Sequence, residues 1–372
     1  MRWSRRSFIQ SALSAAALAL WPRGLRAQPA GRSRVVVVRD GRAWTGRGWT
    51  DTDLDAGRVE AMIARALREL VGLDDEIEAL RILLPDLVDA RVAIKVNCVN
   101  RALPTHPRFT DALAALITRA GAQASQLLVY DRSDHELARC GYALGQGERM
   151  RVVGCDHAGY GYEQEIALGE AALRLGRIAT EADHLLSAPV LKQHEMAGVT
   201  LSLKNHFGSI DHPELLHGRD RQCSPGIAEL NACEALRSRS RLALVDALFG
   251  SFASGLAGEP DFAPMAVIAS VDPVAADAVG QALINARREE QGLGPVDAVH
   301  LRDAQAAGLG CCDLERIERI EIELAPVEEQ RGETGCGPTG RPGAAGLVAL
   351  LAPAALRARR SRKSFGIRSR LE

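Results

Sequence analysis

The feature that most constrains this chain is a repeated alternation of short, β-branched apolar runs with longer segments whose apolar residues fall at helical spacing. Val92 to Val96 is one such run, followed by helical spacing from Phe109 to Ala120 that stops at Gly121, a run Leu127 to Tyr130, and a short helix near His135 to Cys140. Strands buried on both faces of a parallel sheet read as near-continuous Val/Ile/Leu runs, and parallel neighbours need a helical crossover between them. The rhythm resumes with strand His184 to Ser187, the segment Val199 to Asn205, helix Gly226 to Arg237, strands Leu242 to Val245 and Met265 to Ala269, and helix Pro273 to Arg287. Upstream, Arg34 to Val38 reads as a first strand, followed by helices Leu54 to Leu70 and Asp74 to Leu84, the second stopped by Pro85. Between Met150 and Glu181 the pattern breaks into two alternating pieces, Gln164 to Leu168 and Ala172 to Ile178, which read as an inserted β-hairpin. Ile320 to Leu324 alternates as a last, edge-like strand. The predicted fold class is α/β: a largely parallel sheet flanked by helices, with an inserted β-hairpin region, in a single domain over 34–325.

Composition removes several classes of function. The chain has 372 residues, 47% of them hydrophobic and 25% charged, enough for a large buried core. A formal charge of -1 and 4% aromatic residues leave neither a basic field nor many stacking platforms, so no nucleic-acid partner is expected. None of the eight cysteines forms a C-x-x-C pair, so no iron-sulfur cluster or zinc ribbon is expected from this chain, and buried free thiols are the simplest reading of most of them.

Both ends read as addresses. Over 1–30, Arg5 and Arg6 precede Ser7-Phe8-Ile9, an Ala/Leu-rich stretch and a small residue, Ala27; this resembles a twin-arginine signal peptide, read by a translocase that exports folded proteins. The expected location is the periplasm or cell surface. Over 334–372, Gly335-Cys336-Gly337 precedes an apolar run from Ala344 to Leu356 and a cluster of arginines. That run is shorter than the roughly 18 to 20 residues needed to span a bilayer. The tail resembles C-terminal sorting signals of some Gram-negative bacteria, with Cys336 as a processing site and membrane association through the tail; a solvated basic terminal helix is the alternative.

In open parallel sheets ligands gather at the carboxyl ends of the strands, and here those ends are polar. Lys95 and Asn97 close one strand and, two apart, point to one face; Asp131, Lys192, His194 and Asp246 follow other strands. Each has a plainer alternative. Asp272 before Pro273 reads as a helix cap, Thr105 as a cap ahead of His106-Pro107, and Asp131 and Asp246 as turn residues. Lys95 and Lys204 are harder to dismiss, since both read as lying in buried strands and lysine is rarely buried unless paired or functional. Five of the nine histidines fall between His184 and His217. That density suggests proton transfer or a divalent metal, with His194, His206, Asp211 and His212 as candidate ligands, although the spacing fits no standard zinc pattern. Anion binding by the lysines with the Asn97 and Asn205 amides is an equal alternative.

Together, Ala93-Ile94-Lys95-Val96-Asn97, Thr105-His106-Pro107, Gly121 with Asp131, Pro189-Val190-Leu191-Lys192-Gln193-His194, Val199 through Lys204-Asn205, and Asp272-Pro273-Val274-Ala275-Ala276-Asp277 resemble the family called domain of unknown function 362, over about Val92 to Leu283. The resemblance implies a shared site without a settled reaction. Family members are often exported or joined to a ferredoxin-like module, which this chain lacks.

The leading expectation is an exported enzyme acting on a small anionic molecule, a carboxylate or phosphate. Lys95, Lys192 and Lys204 would hold the charge, His106 or His194 would move protons, and Asp131 or Asp246 would orient a histidine or bind a metal. The alternatives are a non-catalytic metal- or ligand-binding surface protein and a redox partner of an iron-sulfur protein.

Overall fold

The computed structural model describes residues 32–217, 223–255 and 258–325. The chain divides into two units, 1–329 and 330–372, and all described residues lie in the first. The signal region with Arg5, Arg6 and Ala27, and the tail with Cys336, fall outside them.

Thirteen strands are present among the described residues: β1 (Ser33–Asp40), β2 (Val92–Lys95), β3 (Leu127–Asp131), β4 (Gly145–Gln146), β5 (Arg151–Gly154), β6 (Tyr162–Leu168), β7 (Ala171–Gly176), β8 (His184–Ser187), β9 (Val190–His194), β10 (Gly198–Thr200), β11 (Ser240–Ser251), β12 (Ala266–Ser270) and β13 (Ile317–Ala325). The main sheet runs β13-β1-β12-β11-β8-β2-β3-β5-β4, with β9 paired to β11 and β10 to β9. Its centre, β11-β8-β2-β3-β5, is parallel throughout, whereas β12 is antiparallel to both neighbours. β6 and β7 form a separate antiparallel hairpin. This is the α/β class expected from the alternation.

Two cores lie on the two faces of the sheet, and residue parity assigns the side chains. Val92, Ile94, Val129, Leu186 and Leu244 pack with helices Ala56–Val71 and Pro107–Ala120. Ala93, Tyr130, Leu185 and Val245 pack with the hairpin and with helices Gly226–Ala232 and Pro273–Glu290. Local chemistry sets the helix ends. Asp55 accepts from Arg58 N at the first, Pro107 opens the second, and Asp272 caps the last by accepting from Ala275 N. Asp272 also accepts from Cys311 N at 2.9 Å, so the cap ties a distant loop to the helix.

Several expectations change. Val199 to Asn205 is not one strand but β10 followed by the one-turn helix Ser202–Asn205, so Lys204 is helical. Helix Gly226 to Arg237 breaks at Cys233, and Ile178 belongs to helix Arg177–Glu181 rather than to the hairpin. Thr105 is not a helix cap: its hydroxyl donates to Ala188 O at 2.7 Å and accepts from Asn97 N at 2.9 Å, joining the exits of β2 and β8. β9 escaped the pattern because Lys192 and His194 interrupt its apolar run. The seven cysteines among the described residues are free thiols, and no described helix is long and apolar enough to cross a membrane.

Candidate functional site

β2 pairs in parallel with β3 and β8, Lys95 standing opposite Tyr130 and Ser187, so three strands end side by side. At that edge Lys95 Nζ donates to Asp131 Oδ1 at 2.5 Å and to Val96 O at 2.6 Å. Asp131 also accepts from Cys98 N (2.6 Å) and Arg132 N (2.7 Å). Both side chains are buried, and a buried pair is tolerable when further hydrogen bonds satisfy its remaining polar atoms. Gly208 presses against the pair. A Cβ there would lie 2.5 Å from Lys95 Nζ and closer still to Asp131 Oδ1. Because both side chains are locked by bonds, Gly208→Ala is expected to cost about 1–3 kcal/mol, as overpacking does; an unchanged denaturation midpoint would show that the pair yields freely.

A second set of side chains arrives from β9, β10 and the helix Ser202–Asn205. Lys192 stands opposite Thr200 across the β9–β10 pair and donates to Asn97 Oδ1 at 2.8 Å. With its oxygen held, Asn97 turns its Nδ2 towards Asn205 Oδ1, 3.4 Å away. Asn205 Nδ2 donates to Lys95 O (2.8 Å) and Ser187 Oγ (3.1 Å). Lys204 Nζ lies 3.2 Å from His217 Nε2 and 4.3 Å from the Phe207 ring centroid. His217 Nδ1 bonds to Pro213 O at 3.0 Å, which makes Nδ1 the protonated nitrogen and leaves a lone pair on Nε2 for Lys204.

The one-turn helix is anchored from outside itself. Leu201, at its N-cap, offers no side-chain acceptor. Instead the fully buried Asp277, on helix Pro273–Glu290, accepts from Ser202 N at 2.7 Å and Leu203 N at 2.9 Å. Burial pushes Asp277 up to about 7, against the pull of those backbone donors. Burial pushes Lys192 down to about 7, with Lys204 adding to the effect, and burial alone takes Lys204 down to about 8. Among the described residues neither lysine has a carboxylate partner, in contrast to Lys95.

These groups surround a cavity of about 130 Å³. Liquid water takes about 30 Å³ per molecule, so a ligand of several non-hydrogen atoms fits. Lys95, Asn97, Asp131, Lys204 and Asn205 line it. Thr200, Phe207, Gly208 and His217 line it as well, together with the Arg132–Glu136 ion pair. Thr200 Oγ1 is buried and has no hydrogen-bond partner among the described residues. Thr200 and Asp277 lie in the stretches that resemble the family, but neither stands out as a site residue by itself, because one reads as strand filler and the other as a helix-interior acid.

Not every polar residue at the strand ends reaches the cavity. Lys192 sits behind Asn97, fully buried, and does not line the cavity. His194 is turned inward: its Nδ1 accepts from Met196 N and Ala197 N, both at 3.1 Å, and burial, reinforced by Lys204, takes it down to about 3. It touches the site only through its ring, stacked 6.1 Å from that of His217. His106 and Asp246 lie on the opposite sheet face, because Asp246 shares the parity of Leu244 and Leu248. His106 Nδ1 and backbone N both bond to Asp246 Oδ2, at 2.7 and 2.8 Å, and the ring stands edge-on to Phe249. Burial works against the charged form of this imidazole, but Asp246 more than offsets it and the pKa is raised.

The metal candidates scatter. His206 Nδ1 bonds to Ser209 Oγ at 3.2 Å, Asp211 holds Arg174 of β7, and His212 is exposed beside Glu214. The chain passes from strand to short helix to turn across these positions, so neighbouring side chains radiate. No group of three or more His, Cys, Asp or Glu among the described residues is placed to hold a metal. A larger open groove of about 740 Å³ runs along helix Pro273–Glu290, but its charged residues Glu289, Asp297 and Arg302 are exposed.

Fold and cavity define an α/β protein with a cationic, partly unsatisfied site at the carboxyl edge of a mostly parallel sheet. The chain belongs to the DUF362 family (Domain of unknown function), which matches residues 92–282, just over half of its length. The matched stretch contains every described residue that lines the cavity. No curated protein matches the chain. Among solved structures it is similar to the lactate racemase apoprotein from Thermoanaerobacterium thermosaccharolyticum, at 14% identity and a TM-score of 0.39 over 69% of this chain. The chain spans 58% of that protein's length, and a likeness at this level carries no chemistry across.

Proposed function

We propose that the cavity binds a small anion, a carboxylate or phosphate, and that the protein is an enzyme acting on it. The observation that carries this reading is Lys204: buried, lining the cavity and without a carboxylate partner among the described residues. A buried cation costs several kcal/mol unless it is matched. Lys95 is matched internally by Asp131, and a bound anion would match Lys204 in the same way. Thr200 Oγ1 supplies a waiting donor, Asn97 Nδ2 a second, and Lys192 acts through Asn97 as a positioning residue. His217, not His106 or His194, is the imidazole placed to exchange a proton at the cavity. Export by the twin-arginine translocase belongs to the same proposal, since that route delivers a cavity already folded.

Calorimetric titration of wild-type protein with inorganic phosphate and with acetate at low ionic strength is expected to show one site. Lys204→Ala is expected to weaken it at least about 30-fold and Thr200→Val about tenfold, the scale of a charge-assisted and a neutral hydrogen bond. Absence of binding in the wild type, or equal affinity in a folded Lys204→Ala variant, would overturn the reading. Binding without turnover of any carboxylate or phosphate ester would leave a binding protein in place of an enzyme.

A further inference from the structure

We infer that Lys204 is a nucleophilic amine that forms an imine with a small 2-oxo acid, an inference that rests on the anion-site reading. Lysine use in this chain is the first support. Of its 46 basic residues only four are lysine: Lys95, Lys192, Lys204 and Lys363. Three of them are buried at one sheet edge. Arginine carries nearly all the other positive charge, and a guanidinium can neither lose its proton nor act as an amine.

The three lysines are not equivalent. Lys95 is tied to Asp131 and Val96 O, and Lys192 is screened from the cavity by Asn97. Among the described residues Lys204 lines the cavity with no carboxylate in ion-pair contact, and it has an imidazole beside it, His217 Nε2 at 3.2 Å. Burial shifts Lys204 towards its neutral form, down to about 8, the direction in which a desolvated lysine becomes a nucleophile. His217 is half-buried beside the cavity, where it can take a proton from the ammonium and return it to the carbonyl oxygen. The carboxylate of a 2-oxo acid would take the Thr200 hydroxyl and Asn97 Nδ2, leaving its carbonyl carbon for Nζ.

The step balances without an external oxidant or reductant. His217 removes one proton from the ammonium, and the freed nitrogen pair attacks the carbonyl carbon while the C=O π pair moves to oxygen, which takes that proton back from His217. A second proton passes from the nitrogen to the hydroxyl, which leaves as water, and the nitrogen pair closes the C=N bond of a protonated imine whose cation lies over the Phe207 ring face as the ammonium did.

Full-length protein is incubated with pyruvate and sodium cyanoborohydride, then analysed by intact mass and peptide mapping. One reduced pyruvate adduct on Lys204, slowed at least fivefold by excess acetate and absent from Lys204→Arg, is the expected result. No adduct on wild-type Lys204, or labelling that favours Lys363 or the N-terminus, overturns the inference, and this holds whether or not the arginine variant folds. If phosphate and acetate still bind the unlabelled wild type, the anion site stands and only the imine falls; if they do not, both fall.

Discussion

Asp131→Ala is expected to destabilise the protein by about 3–5 kcal/mol, the cost of leaving a buried charge without its partner. Asp131 accepts three hydrogen bonds, from Lys95 Nζ, Cys98 N and Arg132 N, so the change strands a cation and two backbone donors at once. In a domain of this size the melting temperature should fall by about 10 °C. A double variant, Lys95→Met with Asp131→Leu, should recover part of the loss, since apolar groups of similar volume often replace a buried ion pair at little cost. A double variant less stable than Asp131→Ala would mean that the two side chains do not compensate each other.

Asp277→Ala is expected to remove both stability and anion affinity. The carboxylate holds the first two N–H groups of the helix Ser202–Asn205. Each buried donor left unpaired costs about 1–3 kcal/mol, and four residues cannot hold a helix without help. Offsetting this, Ala removes a carboxylate that burial disfavours, so a net loss of about 2–4 kcal/mol is expected. Lys204 and Asn205 ride on that turn, so phosphate affinity should drop at least about tenfold even where the variant remains folded. Thermal melts beside calorimetric titrations check both effects; a destabilised variant that binds phosphate normally would show that Asp277 supports the fold without placing Lys204.

The parts of the fold legible in the sequence were those governed by local periodicity. β2, β3 and β8 are apolar runs because both of their faces are buried, and the helices between them carry their own start and stop residues. β9 and the helix Ser202–Asn205 depart from the sequence pattern for one reason. Lys192 and Lys204 break the apolar pattern where the site lies, and a buried lysine looks the same in sequence whether it occupies a strand or a turn.

From its sequence alone, the chain determined an α/β sheet, the gathering of Lys95, Asn97 and Asp131 at one set of strand ends, and a chemically dense stretch from His184 to His217. Tertiary structure alone decided which of those residues meet. Alternation along β11 sent Asp246, and His106 bonded to it, to one sheet face, and alternation along β2 left Lys95 on the other. A carboxylate from a helix more than seventy residues downstream set the angle at which Lys204 enters the cavity. Pairing of this kind depends on distances between segments remote in the chain, which neither periodicity nor composition encodes.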